Sequence, residues 1–191
     1  MQMSSFFSAL ALGSAALLAA PPAVAQQKLV PAQSEVQFTA RQMGVPLEGH
    51  FKKFDAQVSF DPAKLATSKI VFTVDTGSAT MGSRETDAEL PKATWFNVPQ
   101  FPQATFQSSA IKALGAGKFE VTGKLSIKGM ARDVVVPVTL VQNGATTMAT
   151  GALPLKRLAF KIGENEWADT SMVADDVQVK FKLALTGVGK L

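Results

Sequence analysis

Cysteine and tyrosine are absent from the chain, and histidine occurs once. Without cysteine there is no disulfide staple, no thiol nucleophile and no thiolate metal site. A lone histidine, His50, rules out a His-rich metal cluster. It also leaves a Ser/His/Asp arrangement a single base, and no G-x-S-x-G elbow accompanies it. Arginine is scarce. Arg41, Arg84, Arg132 and Arg157 stand against fifteen lysines, which are scattered rather than massed. A net charge of +4 spread in this way describes a solvated surface, so no nucleic-acid partner is expected.

Long apolar runs are limited to one. Phe6 to Ala20 is built largely of Ala, Leu and Ser, and is followed by Pro21-Pro22 and by Ala23-Val24-Ala25. At about fifteen residues the run is short of the roughly twenty that span a bilayer. Its small-residue A-x-A ending reads as a secretory signal peptide over residues 1–25, with only the amino terminus supplying positive charge ahead of it. Cleavage after Ala25 leaves residues 26–191 as one exported domain. That length is ample for a hydrophobic core without covalent staples.

What fills the rest of the chain is alternation. In Lys118 to Gly129, KFEVTGKLSIKG, the apolar Phe119, Val121, Leu125 and Ile127 fall on one side, with Gly123 in the gap. Glu120, Thr122, Lys124, Ser126 and Lys128 fall on the other. Period two marks a strand with one dry face and one wet face. The pattern recurs in 34–41, 54–60, 70–74, 103–114, 134–140 and 177–185, all rich in Phe and β-branched residues. Gly115-Ala116-Gly117 and Asn143-Gly144 sit at hairpin positions. Gly129 to Asp133 reads as another short connection. Pro137 cannot donate a ladder hydrogen bond, which predicts an edge or bulge in its strand. About eight antiparallel strands with one dry face close into a barrel or stack as a two-sheet sandwich.

One segment breaks the rhythm. In Gly82 to Asn97, Ser83 is placed to cap a short helix whose acids at 85, 87 and 89 lie near its positive end, and Pro91 ends it. This predicts a short helical excursion near one end of the β structure. The same Glu85, Asp87 and Glu89 lack the glycine and the ligand count of a known Ca²⁺ loop, so no metal is expected there.

Several pieces in order carry a family resemblance across residues 27 to 187. They are Met43-Gly44, Gly49-His50-Phe51 with Phe54, and Phe60-Asp61-Pro62. Arg84, Asp87 and Leu90 follow, then Trp95-Phe96-Asn97 and Phe101 to Phe106. The strand and turn Val121 to Gly129, Arg157 with Phe160, and Asp176-Val177 complete the set. In these the chain resembles the YceI family of lipocalin-like proteins associated with polyisoprenoid binding. Where that family often places an Asp and a Gly around the Phe that follows the Arg, this sequence has Ala159 and Lys161. The resemblance implies an all-β fold, an antiparallel eight-stranded lipocalin-like barrel. It also implies a periplasmic protein holding a long-chain isoprenoid amphiphile, a polyprenyl lipid or an isoprenoid quinone, with its tail inside and its head near the mouth. A membrane cytochrome of the b561 type is an implied partner, and a homodimer is kept open; no cofactor or metal is implied.

Barrels of this size are either filled by their own side chains or hollow enough for one ligand, and pattern alone does not separate the two. For a hollow barrel the candidate liners are Phe38, Phe54, Val58, Phe72, Phe106, Phe119, Leu125, Phe160 and Phe181, each otherwise a core residue. A polyprenyl tail of about 40 carbons at ~0.3 kcal/mol per atom would give nanomolar binding. Gly123 reads as a bend in its strand. The head-group candidates are Arg84, in the helical excursion, and Arg132, in the expected turn, because a guanidinium fork suits phosphate. Two other readings stand beside this one. In the first, an enzyme uses His50 or a pair of carboxylates, Glu164/Glu166 or Asp175/Asp176. In the second, a packed barrel docks a membrane protein, with Trp95, Phe96 and Trp167 as its anchors if they are exposed.

Overall fold

The computed structural model describes residues 27–191; the expected leader lies outside them. Eleven strands follow in order: β1 Lys28–Leu29, β2 Glu35–Gln42, β3 Val45–Phe51, β4 Phe54–Ser59, β5 Lys69–Asp75, β6 Ala79–Thr80, β7 Gln103–Gly115, β8 Lys118–Ile127, β9 Met130–Asn143, β10 Thr146–Lys156 and β11 Asp176–Thr186. One short helix, α1, spans Arg84–Glu89. No helix among the described residues is long and apolar enough to cross a membrane.

All pairings are antiparallel and run β4-β5-β7-β8-β9-β10-β11-β2-β3-β6, with β1 on β11. The expectation of eight strands is thus corrected to eleven, for two physical reasons. Strands β1 and β6 are two residues long and carry no period. β3 and β4 are two halves of one strand, separated by Lys52 and Lys53 alone. The break occurs where the 76–78 turn inserts. Lys52 N and Lys53 N donate to Ser78 O (3.1 Å) and Ser78 Oγ (3.0 Å), and Asp75 N donates to Lys53 O (3.0 Å). β3 therefore pairs with β2 while β4 pairs with β5, which brings the two ends of the curled sheet together. Gln27 adds to the seam by bonding both backbone groups of Phe60, Nε2 to O at 2.6 Å and N to Oε1 at 2.8 Å.

Tight two-residue turns set the register of the long hairpins. Met43-Gly44, Ala116-Gly117 and Lys128-Gly129 all have positive φ at both residues, the turn whose twist suits paired strands. The Lys128-Gly129 turn shortens the connection expected over 129–133, because β9 already begins at Met130. Arg132 accordingly lies on a strand and not in a turn. The ladder between β9 and β10 ends at Gly151↔Val138, one residue short of Pro137, where an edge was expected. α1 forms as anticipated, but Ser83 makes no side-chain cap. Asp87 holds the helix start instead, accepting from Thr80 Oγ1 (2.5 Å) and Met81 N (2.7 Å). Those two bonds, Thr80's first, hold its carboxyl below the usual aspartate range.

The buried core gathers under α1, where Phe38, Ala79 and Leu90 pack with Phe51, Met81, Phe96, Val177 and Val179. Rings Phe38–Phe51 and Phe51–Phe96 lie 5.3 and 6.0 Å apart. At the other end Phe60 and Phe119 meet edge to face at 5.3 Å.

Three glycines explain how large side chains line this barrel without filling it. A Cβ on Gly49 would strike the ring of Phe38, one on Gly123 the ring of Phe106, and one on Gly151 the ring of Phe181. Phe38↔Gly49 and Gly151↔Phe181 are direct cross-strand partners, and Gly123 lies diagonal to Phe106. Each ring thus lies back on the bare backbone of its neighbour strand and takes up wall, not lumen. A register shift in β7 between Ser108 and Ala110 lies directly opposite Gly123, and Gly123 makes room for Phe106. Gly123→Val should press on both the backbone oxygen of Gln107 and the ring of Phe106 and cost about 1–3 kcal/mol. A urea titration checks this, and an unchanged midpoint would refute the seating argument.

Candidate binding cavity

The interior encloses a cavity of about 530 Å³, within the roughly 300–1,000 Å³ range of small-molecule sites. Alternate residues of the long strands point into it. Val36, Phe38 and Ala40 come from β2, Ala56 and Val58 from β4, and Ile70, Phe72 and Val74 from β5. Phe119, Val121, Leu125 and Ile127 from β8 face it together, the period-two stripe of KFEVTGKLSIKG. Beyond Leu155 the wall continues through Phe160, Ile162 and Trp167 of the segment joining β10 to β11.

Eight of the nine expected liners stand on this wall: Phe38, Val58, Phe72, Phe106, Phe119, Leu125, Phe160 and Phe181. Phe54 does not, which corrects its assignment. It adjoins the strand break at Lys53, where its ring lies 6.0 Å from Phe72 and borders an outer cleft with Lys52, Lys53 and His50.

Polar wall residues concentrate at one end: Arg41 and Gln42 from β2, and Glu85, Thr86 and Glu89 from α1. Arg41 and Glu85 are the only lining residues that are also exposed, so the cavity opens there. Neither head-group candidate reaches it. Arg84 is exposed at the start of α1 and off the wall, and Arg132 is exposed on β9, donating to Ala131 O (3.1 Å). The arginine at the mouth is Arg41, missed because its strand pattern gives no sign of where the barrel ends.

Arg157 also reaches the wall, but its donors are spent. Nε donates to Ala174 O (3.0 Å), Nη1 to Ile162 O and Gly163 O (both 2.9 Å), and Nη2 to Trp167 O and Val173 O (both 2.6 Å). The side chain is 3% exposed. Burial pulls its pKa down, and the carboxylate of Asp175 opposes that; an arginine so placed keeps its charge. Beside it the buried Lys128 ammonium holds Lys161 O (2.6 Å) and Glu164 Oε2 (2.9 Å). Lys161 has φ 56°, the left-handed conformation that favours glycine. That is the position at which the resembling family often carries one.

The residues of the enzyme reading lie elsewhere. His50 is exposed and off the cavity wall. Glu164 is bound to Lys128, Asp175 accepts from Leu158 N (2.9 Å), and Asp176 pairs with Lys156 (2.8 Å). Asp87 is taken up by the helix start and Glu89 by Lys92. Among the described residues no group of acids and histidine is placed to hold a metal ion. Trp95, Phe96 and Trp167 are half-buried and line the inner wall. The two indoles lie 5.6 Å apart. Trp95 Nε1 and Thr147 Oγ1 are buried with no hydrogen-bond partner among the described residues.

A curled antiparallel sheet around an apolar cavity open at one end defines a lipocalin-like barrel. The chain belongs to the YceI-like family, whose domain matches residues 27–185. It is 36% identical over 140 residues to a UPF0312 protein of Azotobacter vinelandii, covering 71% of this chain and 72% of that one. Among solved structures it is similar to BcnA of Burkholderia cenocepacia, with 51% identity and a TM-score of 0.79, covering 82% of this chain and 98% of that one. A polyisoprenoid binding domain from Saccharophagus degradans shares the fold at 13% identity, with a TM-score of 0.69 and coverage of 84% and 98%.

Proposed function

We propose that the protein is a periplasmic carrier that holds one long-chain isoprenoid amphiphile in its barrel, tail within and head at the Arg41–Glu85 mouth. The observation that carries this reading is the cavity of about 530 Å³ with an almost wholly apolar wall. An interior of Phe, Val, Leu and Ile offers a hydrocarbon chain contact and offers water nothing. The family membership and the isoprenoid-binding domain of the same fold support an isoprenoid tail over a fatty acyl one. The leader-like segment 1–25 supports export. Binding is proposed over catalysis because the one histidine lies outside the cavity.

The test is organic extraction of the mature protein purified from its native envelope, followed by mass spectrometry. A stoichiometric prenyl lipid, on a chain beginning at Gln26, is the expected result. A protein that yields no long-chain lipid, and takes up none after delipidation, would end the carrier reading.

A further inference from the structure

The dry side of β3 does not stop where the barrel does. Ala40↔Leu47 and Gln42↔Val45 are cross-strand partners of β2 and β3, and partners directly opposite share a face. Ala40, Leu47 and Gln42 line the cavity, so Val45 stands on the lumen side as well. Yet Val45 is off the wall and 59% exposed, because it has passed the rim. Val135 and Val141 are exposed too, but on the outer face of β9, next to the inward Val136 and Leu140.

Two methionines extend the strip. Met43, 70% exposed, occupies the turn beside Val45, and Met172, 41% exposed, adjoins it, with Met43 N donating to Met172 O (2.8 Å). Met172 precedes Val173, a buried wall residue bridged to Gln42. An apolar path therefore runs from Leu47 and Val173 on the wall to Val45, Met43 and Met172 outside it. Pro46 is exposed on the same hairpin, and residues 43–46 carry no charged side chain. Met43 has φ 48° in a turn whose first place favours Asn or Gly. The chain forgoes that local preference and sets a long, adaptable apolar side chain in solvent.

What covers such a strip follows from where it lies. A long isoprenoid chain is nearly insoluble in water, so its passage between a bilayer and the lumen through free solution is slow. A tip continuous with the lumen and dipped into the bilayer keeps the tail among apolar groups throughout. The charges bear on the kind of surface. Arg41 is exposed behind the tip and reaches Gly44 O (3.5 Å), a cation on an apolar stem that suits the depth of lipid head groups. Glu85 at the same mouth, and Asp169 in the turn that leads to Met172, set negative charge against it. The rim thus has no net attraction for an anionic surface, and the match is a zwitterionic one.

We propose that the β2–β3 hairpin tip, Met43, Val45 and Pro46 together with Met172, is a docking surface for a zwitterionic lipid bilayer, where cargo passes between membrane and cavity without entering water. This rests on the carrier reading and adds to it the surface that loads and unloads the barrel.

Because the chain has no cysteine, Val45→Cys and Leu114→Cys each accept a single polarity-sensitive fluorophore. Leu114 is the distant control, since the hairpin that follows it leads to Phe119 at the other end of the barrel. On delipidated mature protein with phosphatidylcholine vesicles, the label at Val45 should shift to the blue and the label at Leu114 should not. Met43→Asn combined with Val45→Thr removes the apolar groups while suiting the turn and the strand, so folding should hold. The rate at which vesicles give up a prenyl lipid should rise with protein concentration, and should fall about tenfold in the double variant. Affinity for the same lipid offered in detergent should stay within about twofold. No shift at Val45→Cys, a transfer rate independent of protein concentration, or undiminished transfer by the double variant would overturn the proposal. So would a shift that requires anionic lipid, or one that requires a membrane protein in the vesicles, which would make the tip a protein-docking surface. If no prenyl lipid binds even in detergent, the carrier reading falls, and the fluorophore on empty protein still decides whether the tip docks.

Discussion

Arg157→Lys should lower folding stability by about 3–5 kcal/mol, although it keeps the charge. The reason is geometric. The guanidinium satisfies five carbonyls spread over residues 162–174 with a planar fork of N–H groups. A lysine ammonium has three donors on one atom and cannot reach Ala174 O on one side and Gly163 O on the other. Carbonyls left buried without a donor cost about 1–3 kcal/mol each. Urea unfolding measures the loss, and Arg132→Lys, on the exposed face of β9, should stay within about 0.5 kcal/mol.

The change should also be felt at the cavity. The segment between β10 and β11 has no strand of its own, and it is tied to the loop after α1 by Gly163 N and Glu164 N, both donating to Thr94 O (2.8 and 2.9 Å). Arg157 therefore holds Trp167 through its own carbonyl and Trp95 through this pair of bonds. Faster hydrogen exchange at Gly163 and Glu164 than at β8 amides would report local opening ahead of global unfolding. Arg157→Lys with wild-type stability and wild-type protection at those amides would show that the clip is dispensable.

These two roles of arginine mark where sequence reading stops. Strand existence was legible because period two survives in every long hairpin: Phe119, Val121, Leu125 and Ile127 face inward as their alternation required. The break between β3 and β4 was not, because it depends on Ser78, some twenty-five residues away in the chain. Phe54 belongs to an alternating run and still leaves the wall, since it stands next to that break. Arg157 and Arg132 look alike in one dimension. One is buried by carbonyls from an aperiodic segment, and the other is exposed once a two-residue turn moves it onto a strand. Whether the barrel is hollow was equally hidden. The answer depends on which phenylalanine lies over which glycine, and pairs such as Phe181 and Gly151 become visible only with the register.

That register decides how the cavity is best blocked. Phe106 and Leu125 face each other across β7 and β8, and both line the lumen. Phe106 rests on Gly123, so a larger ring there would disturb the wall itself. Leu125 is half-buried and opens onto empty space, so Leu125→Trp should carry its indole into the lumen with little overpacking. The residue lies two positions before Ile127, toward the end of the barrel where α1 and the mouth lie. A tail that enters by the mouth must then pass the new ring. Each ten carbons kept out forfeits about 3 kcal/mol at ~0.3 kcal/mol per atom, roughly a hundredfold in affinity. Leu125→Trp should therefore bind prenyl lipid at least about a hundredfold more weakly while unfolding near the wild-type urea midpoint. Val135→Trp, on the exposed face of β9, should bind as the wild type does. Isothermal titration with a solubilised prenyl lipid separates the cases. Undiminished uptake by Leu125→Trp would mean that the cargo does not travel through the barrel at all, and that the apolar stripe of β8 serves only to hold the sheet together.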